Sequence, residues 1–129
     1  MKRLFQILFL MFIFTSCSEN FDFIDPTEFN KKISNRIDIE TAKELIMIYY
    51  NYPENEGIPN LMVESKKTDN GYIEITLIHD GQKDDSVSGI KIIMIAELNN
   101  KKWNVIEIKT NRKCREGRGH TYWDTELCN

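Results

Sequence analysis

Two residues per repeat is the spacing that rules the second half of this chain, and it decides the fold class. From Tyr72 to His79 the side chains alternate, with Ile73, Ile75 and Leu77 on one face and Tyr72, Glu74, Thr76 and Ile78 on the other. Ile90 to Leu98 repeats the pattern at greater length: Ile90, Ile92, Met94, Ala96 and Leu98 share a face, and Ile93 and Ile95 lie opposite. Alternation of this kind places successive side chains on opposite faces of a pleated strand. Leu61 to Lys67 reads as a strand before these two and Trp103 to Lys109 as one after them. Asp69-Asn70-Gly71 supplies the positive φ of a tight turn, and Asn99-Asn100-Lys101-Lys102 marks a second. The loop Asp80 to Ser86 is polar. Sequential strands joined by short turns pair as neighbours, so the expectation is a four-stranded antiparallel meander.

Ahead of the strands the period is helical. Asp25-Pro26-Thr27-Glu28 reads as a helix start, with Asp25 as the cap and Glu28 as the acid of a capping box; the helix is expected to reach about Ser34. A stronger helix is expected from Asp38 as cap to Tyr52, because Ile39, Ala42, Leu45, Ile46, Tyr49 and Tyr50 keep the three-and-four spacing of one buried face. Pro53 stops it. A helix laid on a meander is an α+β two-layer domain, and this order of elements resembles cystatin-like and NTF2-like folds. The far face of such a sheet should be polar, yet it carries Ile78, Ile93 and Ile95, with Ile106 and Ile108 assigned there too. Something must cover them. The C-terminal tail with Tyr122 and Trp123 is the preferred cover; a partner surface is the alternative.

The N-terminus carries an address. Met1-Lys2-Arg3 is a short basic start, Leu4 to Phe14 is apolar apart from Gln6, and the small residues Thr15 and Ser16 precede Cys17. That is the layout of a secretory signal peptide, and the apolar run is well short of the roughly 20 residues that span a bilayer. With Cys17 directly after the small residues, the segment resembles a bacterial lipoprotein signal, in which that cysteine is acylated and becomes the mature N-terminus. Phe14 stands where the family usually has leucine. The resemblance implies a signal peptide at 1–16, a lipid-anchored tether at 17–30 and a single domain at 31–129. It also implies a cell-envelope address, with the outer membrane as the expected site. Removing Lys2 and Arg3 with no acid takes the formal charge from −3 to −5. An acidic chain without a basic stripe is not a nucleic-acid binder.

With Cys17 assigned to lipid, Cys114 and Cys128 remain, an even pair in an oxidising compartment. They are expected to form a disulfide closing a 15-residue loop. The enclosed tail is the most distinctive stretch, and residues 109–129, with 5 basic and 3 acidic side chains, are the net-positive part of the chain. Asp84-Asp85-Ser86-Val87, Trp103, Cys114, Gly117-Arg118-Gly119-His120, Trp123 and Cys128 together are similar to a small uncharacterised group of exported bacterial domains. That resemblance, over about residues 38–129, implies a fold and no activity.

Gly117 and Gly119 let the backbone turn sharply around Arg118. Arg115, Arg118 and His120 are the candidate anion- or partner-binding residues, because a rigidly held guanidinium grips a carboxylate or phosphate bidentately. The competing reading has Arg118 paired with Asp84, Asp85 or Asp124, pinning the tail to the sheet. His120 and Asp124 have the spacing of a base and its orienter, but no oxyanion hole or nucleophile elbow accompanies Ser86, Thr121 or Thr125. Two histidines, His79 and His120, and irregularly spaced acids at 80, 84 and 85 match neither a zinc site nor a calcium loop. No metal, no cofactor and no catalytic residue is assigned. The functional expectation is a lipid-anchored binding module, inhibitor-like or immunity-like, with an unidentified protein partner. The alternative is a small-ligand or enzymatic domain with a pocket between helix and sheet.

Overall fold

A computed structural model describes residues 18–129, so the expected signal peptide at 1–16 and Cys17 lie outside the described residues. The domain is α+β. Its elements are β1 (Asp22–Ile24), α1 (Thr27–Ile33), α2 (Ala42–Tyr50), a 3-10 turn at Glu54–Glu56, β2 (Leu61–Lys67), β3 (Ile73–Asp80), β4 (Val87–Asn99) and β5 (Lys102–Cys114). All pairings are antiparallel, in the order β1-β5-β4-β3-β2.

The sheet therefore has five strands rather than four. The extra one comes from the stretch expected to be a tether: Asp22, Phe23 and Ile24 pair with Thr110, Lys109 and Ile108. The Asn30 carboxamide continues this edge, donating to the Val105 carbonyl and accepting from the Val105 N–H, both at 2.8 Å. Its two amide groups stand in for one more residue of β1.

Helix α2 begins at Thr41, not at Asp38. Thr41 accepts from the Glu44 N–H, and the Glu44 carboxylate accepts in return from the Thr41 N–H, a reciprocal capping box. Asp38 instead pairs with Arg36. The helix ends on Asn51, whose φ of 48° is the left-handed stop. In α1, Asp25 accepts from the Thr27 N–H at 2.9 Å, while Glu28 turns to Lys31 rather than closing a capping box. Phe29 and Ile33 bury one face of this helix, and Phe29 meets Tyr49 edge-on at 5.1 Å.

Both helices cover one sheet face. Leu45, Ile46, Ile75, Leu77, Met94, Ala96 and Ile108 are all fully inaccessible, with Ile33, Ile92, Trp103 and Val105 nearly so. The Trp103 indole N–H donates to the Ile39 carbonyl at 2.9 Å, tying the approach to α2 to the start of β5. Ile108 belongs to this core, against the expectation that placed it on the far face. Ile95 opposes Glu107 and Ala96 opposes Val105, so β5 carries one extra residue, Ile106, and the inside-outside alternation reverses there. Ile106 is left 43% exposed.

The hairpins use different chemistry. At Asp69-Asn70-Gly71 Gly71 takes the positive φ, 83°, and its N–H bonds to the Thr68 carbonyl. Between β4 and β5, Asn100 and Lys101 sit at φ 50° and 63°, the two consecutive left-handed residues of a type I′ turn.

Pairing registers define the far face as rows across the strands. One row runs Met62, Ile78, Lys91, Asn111; the next runs Glu64, Thr76, Ile93, Lys109, Phe23; a third runs Lys66, Glu74, Ile95, Glu107.

Candidate functional site

Residues 115–129 leave the end of β5 and fold back over the Gly89 end of the far face. Cys114 and Cys128 are joined, as the cysteine count implied. The tail has almost no regular structure, yet its backbone is tied throughout. Arg112 and Asp124 exchange two N–H to carbonyl bonds at 2.9 Å, making a β-bridge. The Cys114 N–H donates to the His120 carbonyl at 2.7 Å, and the Asn129 N–H donates to the Arg118 carbonyl at 2.8 Å. Gly119, at φ 138°, lies so close to the disulfide that a Cβ would stand 3.0 Å from the Cys114 sulfur.

Asp84-Asp85-Ser86-Val87 forms the dock for this tail. The Asp84 carboxylate accepts from the Val87 and Ser86 N–H groups at 2.8 and 2.7 Å, and those bonds hold it below its ordinary pKa. The turn so fixed presents the Ser86 hydroxyl to the Asn129 main-chain oxygen at 2.7 Å and the Ser86 carbonyl to the Arg115 N–H at 2.8 Å.

Arginine 115 is the pin. Its guanidinium donates to the carbonyls of Asp84 and Gln82. Arg118 is exposed and, among the described residues, makes no ion pair with Asp84, Asp85 or Asp124; the one hydrogen bond of its guanidinium is a long one, 3.4 Å, to the Asn129 main-chain oxygen. The pinning role expected of Arg118 thus falls to Arg115. Tyr122 and Leu127, farther along the same tail, are 65% and 78% exposed.

His120 lies inside the loop. Nδ1 faces the Tyr122 carbonyl at 2.8 Å and Nε2 the Glu126 carbonyl at 2.9 Å. Both partners only accept, so the contacts favour the imidazolium, the form that donates from both ring nitrogens. The Glu126 and Tyr122 carbonyls raise its pKa accordingly. Asp124 does not orient this ring; its carboxylate accepts from the Thr125 N–H and the Asn20 amide. The base–orienter geometry is absent between these two residues. His120 also lies within 4.8 Å of both cysteine sulfurs. With the sulfurs bonded to each other and both ring nitrogens committed to carbonyls, the trio is a cross-link rather than a ligand set.

Trp123 covers the sheet under the tail. Lys91 and Lys113 lie over its ring at 4.5 and 5.1 Å, and Gly89 leaves the space its ring edge occupies. Lys91 is nearly buried and pairs with Glu19 at 2.6 Å. The Asn111 amide donates to Glu19 and to the Asn20 carbonyl, so the N-terminal segment is fastened to the same spot. Burial opposes ionisation of Glu19, but the bonds from Lys91 and Asn111 outweigh it and hold the carboxyl below its ordinary pKa. The signal for this cluster was a lysine in the middle of an apolar strand, at a far-face position beside Gly89.

The other histidine, His79, is buried on the core side. Gln82 donates to the Tyr50 hydroxyl at 3.1 Å, and that hydroxyl hydrogen-bonds His79 Nδ1 at 2.6 Å. Burial lowers the His79 pKa and so favours the neutral ring. Burial likewise raises that of Tyr50. Among the described residues no serine, threonine or cysteine nucleophile bonds to either histidine.

Comparison with family models, with curated proteins and with solved structures returns no significant match for this chain. No helix among the described residues is long and apolar enough to cross a membrane.

Proposed function

We propose that this is an exported, lipid-anchored binding module of a bacterial envelope. It is acylated at Cys17, addressed to the outer membrane, and holds a protein partner through its disulfide-closed tail. The observation that carries the reading is the tail's rigidity. A stretch with little regular structure is held by a disulfide, a β-bridge, an internal histidine and a pinned arginine, yet it points Arg118, Tyr122 and Leu127 outward. Ordering a loop before binding removes much of the entropic cost of association, and arginine and tyrosine are the residue types that anchor interfaces. An inhibitor or immunity protein facing a hydrolase is the task that fits, since such a surface acts by occupying another protein's site.

The closed core favours this reading over a ligand pocket between helix and sheet. Leu45, Ile46, Ile75, Leu77 and Met94 would line that pocket, and all five are fully inaccessible. The order of one main helix and a long antiparallel meander supports the finer fold reading, cystatin-like or NTF2-like. The similarity to the uncharacterised exported group finds support in the contacts that join its two signature segments, Asp84 to Val87 and Cys114 to Cys128.

The test is affinity capture from the producing organism's envelope and culture fluid, with the oxidised protein immobilised. A single retained protein, lost from the variant Arg118→Ala/Tyr122→Ala/Leu127→Ala but kept by Met62→Ala, is the expected result. Retention indifferent to the tail variant, or nothing above blank resin, overturns the reading.

A further inference from the structure

We propose that the far face of the sheet, at its β1 end, lies directly on the lipid surface, so that the anchor fixes the orientation of the domain as well as its address. The inference rests on acylation of Cys17.

Cys17 and Glu19 are two residues apart, a span of at most about 7 Å. Glu19 is already clamped to Lys91 and Asn111, and Asn20 to Asp124. No free tether separates lipid from fold. Whatever surface adjoins Glu19 is held against the headgroups.

That surface is the far face. Lys91 and Asn111 pair side by side in its row Met62, Ile78, Lys91, Asn111, with the core residue Ile92 on the other side of the sheet. Its outermost strand presents Phe23, 71% exposed, and Lys109 lies over the Phe21 ring at 5.2 Å. Aromatic rings and lysines with apolar stems are the side chains that settle at the headgroup level. They gather at this end, where Phe23 pairs with Lys109 and Lys109 lies over Phe21. This edge adjoins the clamped Glu19 and is therefore the part of the face held nearest the anchor. The half-buried Ile93 beside Lys109 is then shielded by the bilayer, which answers how an apolar residue persists on a face that the tail covers only at Gly89.

The same geometry turns α2 away from the membrane. Lys43 is exposed on that helix, on the opposite side of the sheet.

The experiment uses the full chain, expressed in a bacterium that acylates lipoproteins and reconstituted into phosphatidylethanolamine/phosphatidylglycerol vesicles. With Cys17 acylated and Cys114 joined to Cys128, Phe23→Cys or Lys43→Cys supplies one free thiol for an environment-sensitive fluorophore. Brominated lipid is then added as a contact quencher, and Lys109→Cys, paired with Phe23 on the same face, serves as a second position should Phe23→Cys fold poorly. Loss of fluorescence at 23 with none at 43 is expected. Equal behaviour at the two positions in acylated protein overturns the orientation alone. Protein whose N-terminal peptide carries no acyl mass overturns the anchor and the orientation together.

Discussion

Removing the disulfide tests whether the tail is rigid by covalent constraint or by its hydrogen bonds. The variant is Cys114→Ala/Cys128→Ala. Cys128 follows Cys114 by 14 residues, and in the chain-entropy model a loop of this length constrains the unfolded ensemble by about 3 kcal/mol. The His120, Arg115 and Asp124 contacts do not form in the unfolded chain, so they leave that figure untouched. They act on the folded side. If they keep the open tail docked, the native state gains no entropy and the whole ~3 kcal/mol is lost. At a urea m-value of about 1.5 kcal/mol/M this moves the midpoint down by about 2 M. If the tail frays, the native state recovers part of the entropy and the shift shrinks. Hydrogen exchange at the Cys114 N–H, which donates to the His120 carbonyl at 2.7 Å, separates the two cases. We expect the large shift with that amide still protected. A shift below about 1 kcal/mol with the amide still protected would refute the reasoning, because neither case allows it.

Three further outcomes follow from the packing and the charges. Gly89→Leu places a Cβ 2.8 Å from Lys113 Cε and 3.0 Å from the Trp123 ring, so overpacking of about 1–3 kcal/mol and a red-shifted tryptophan emission are expected. Thr41→Ala removes the accepting half of the α2 capping box and should cost about 1 kcal/mol in thermal or urea unfolding, with the tail's exchange unchanged. The two histidines give opposite pH limbs. His120 has a raised folded pKa, so its contribution is complete below about 6.5 and is lost as pH rises through the folded value; His120→Gln should abolish this alkaline loosening of the tail. His79 has a lowered folded pKa, so its neutral pairing with Tyr50 holds above about 6.5 and is lost as pH falls through the folded value, an acid limb that His79→Gln should flatten in urea midpoints measured against pH.

The meander was legible because a half-buried strand writes its period into the sequence: Ile73 to Leu77 and Ile90 to Ala96 sit on the faces their alternation assigns. The bulge at Ile106 was not, because Val105, Ile106 and Ile108 are apolar on either phase, and nothing in the residue types marks which one is extra. Strand β1 spans three residues, too few for a period to show. For α2 the signal was present in Glu44, three residues after Thr41, and it outranks Asp38 because a capping box satisfies two donors where a lone aspartate satisfies one. In the tail, the even cysteine count left after Cys17 pointed to the cross-link, but Arg115 and Arg118 are alike as letters. Only the place of the Asp84 turn decides which of them meets the Gln82 and Asp84 carbonyls.

Both ends of the described chain converge on one sheet face, and they share partners there. Asn20 donates to the Asp124 carboxylate, Asp124 bridges to Arg112, and Arg112 reaches back to Asp22 at 3.8 Å. Trp123 packs with Lys91, and Lys91 pairs with Glu19. Such a closed circuit cannot lose one member without exposing the others: lifting the tail uncovers Lys91 and Asn111, and freeing Glu19 leaves the Lys91 charge against an aromatic ring with no anion. Leaving the nearly buried Lys91 ammonium without its anion costs more than the pair contributes, so the two segments should open together. The tail that is proposed to meet a partner and the segment that is proposed to carry the lipid are thus one cooperative unit. A partner gripping Arg118 and Tyr122 would pull on the membrane anchor through contacts in the same face, without any change in the helical layer.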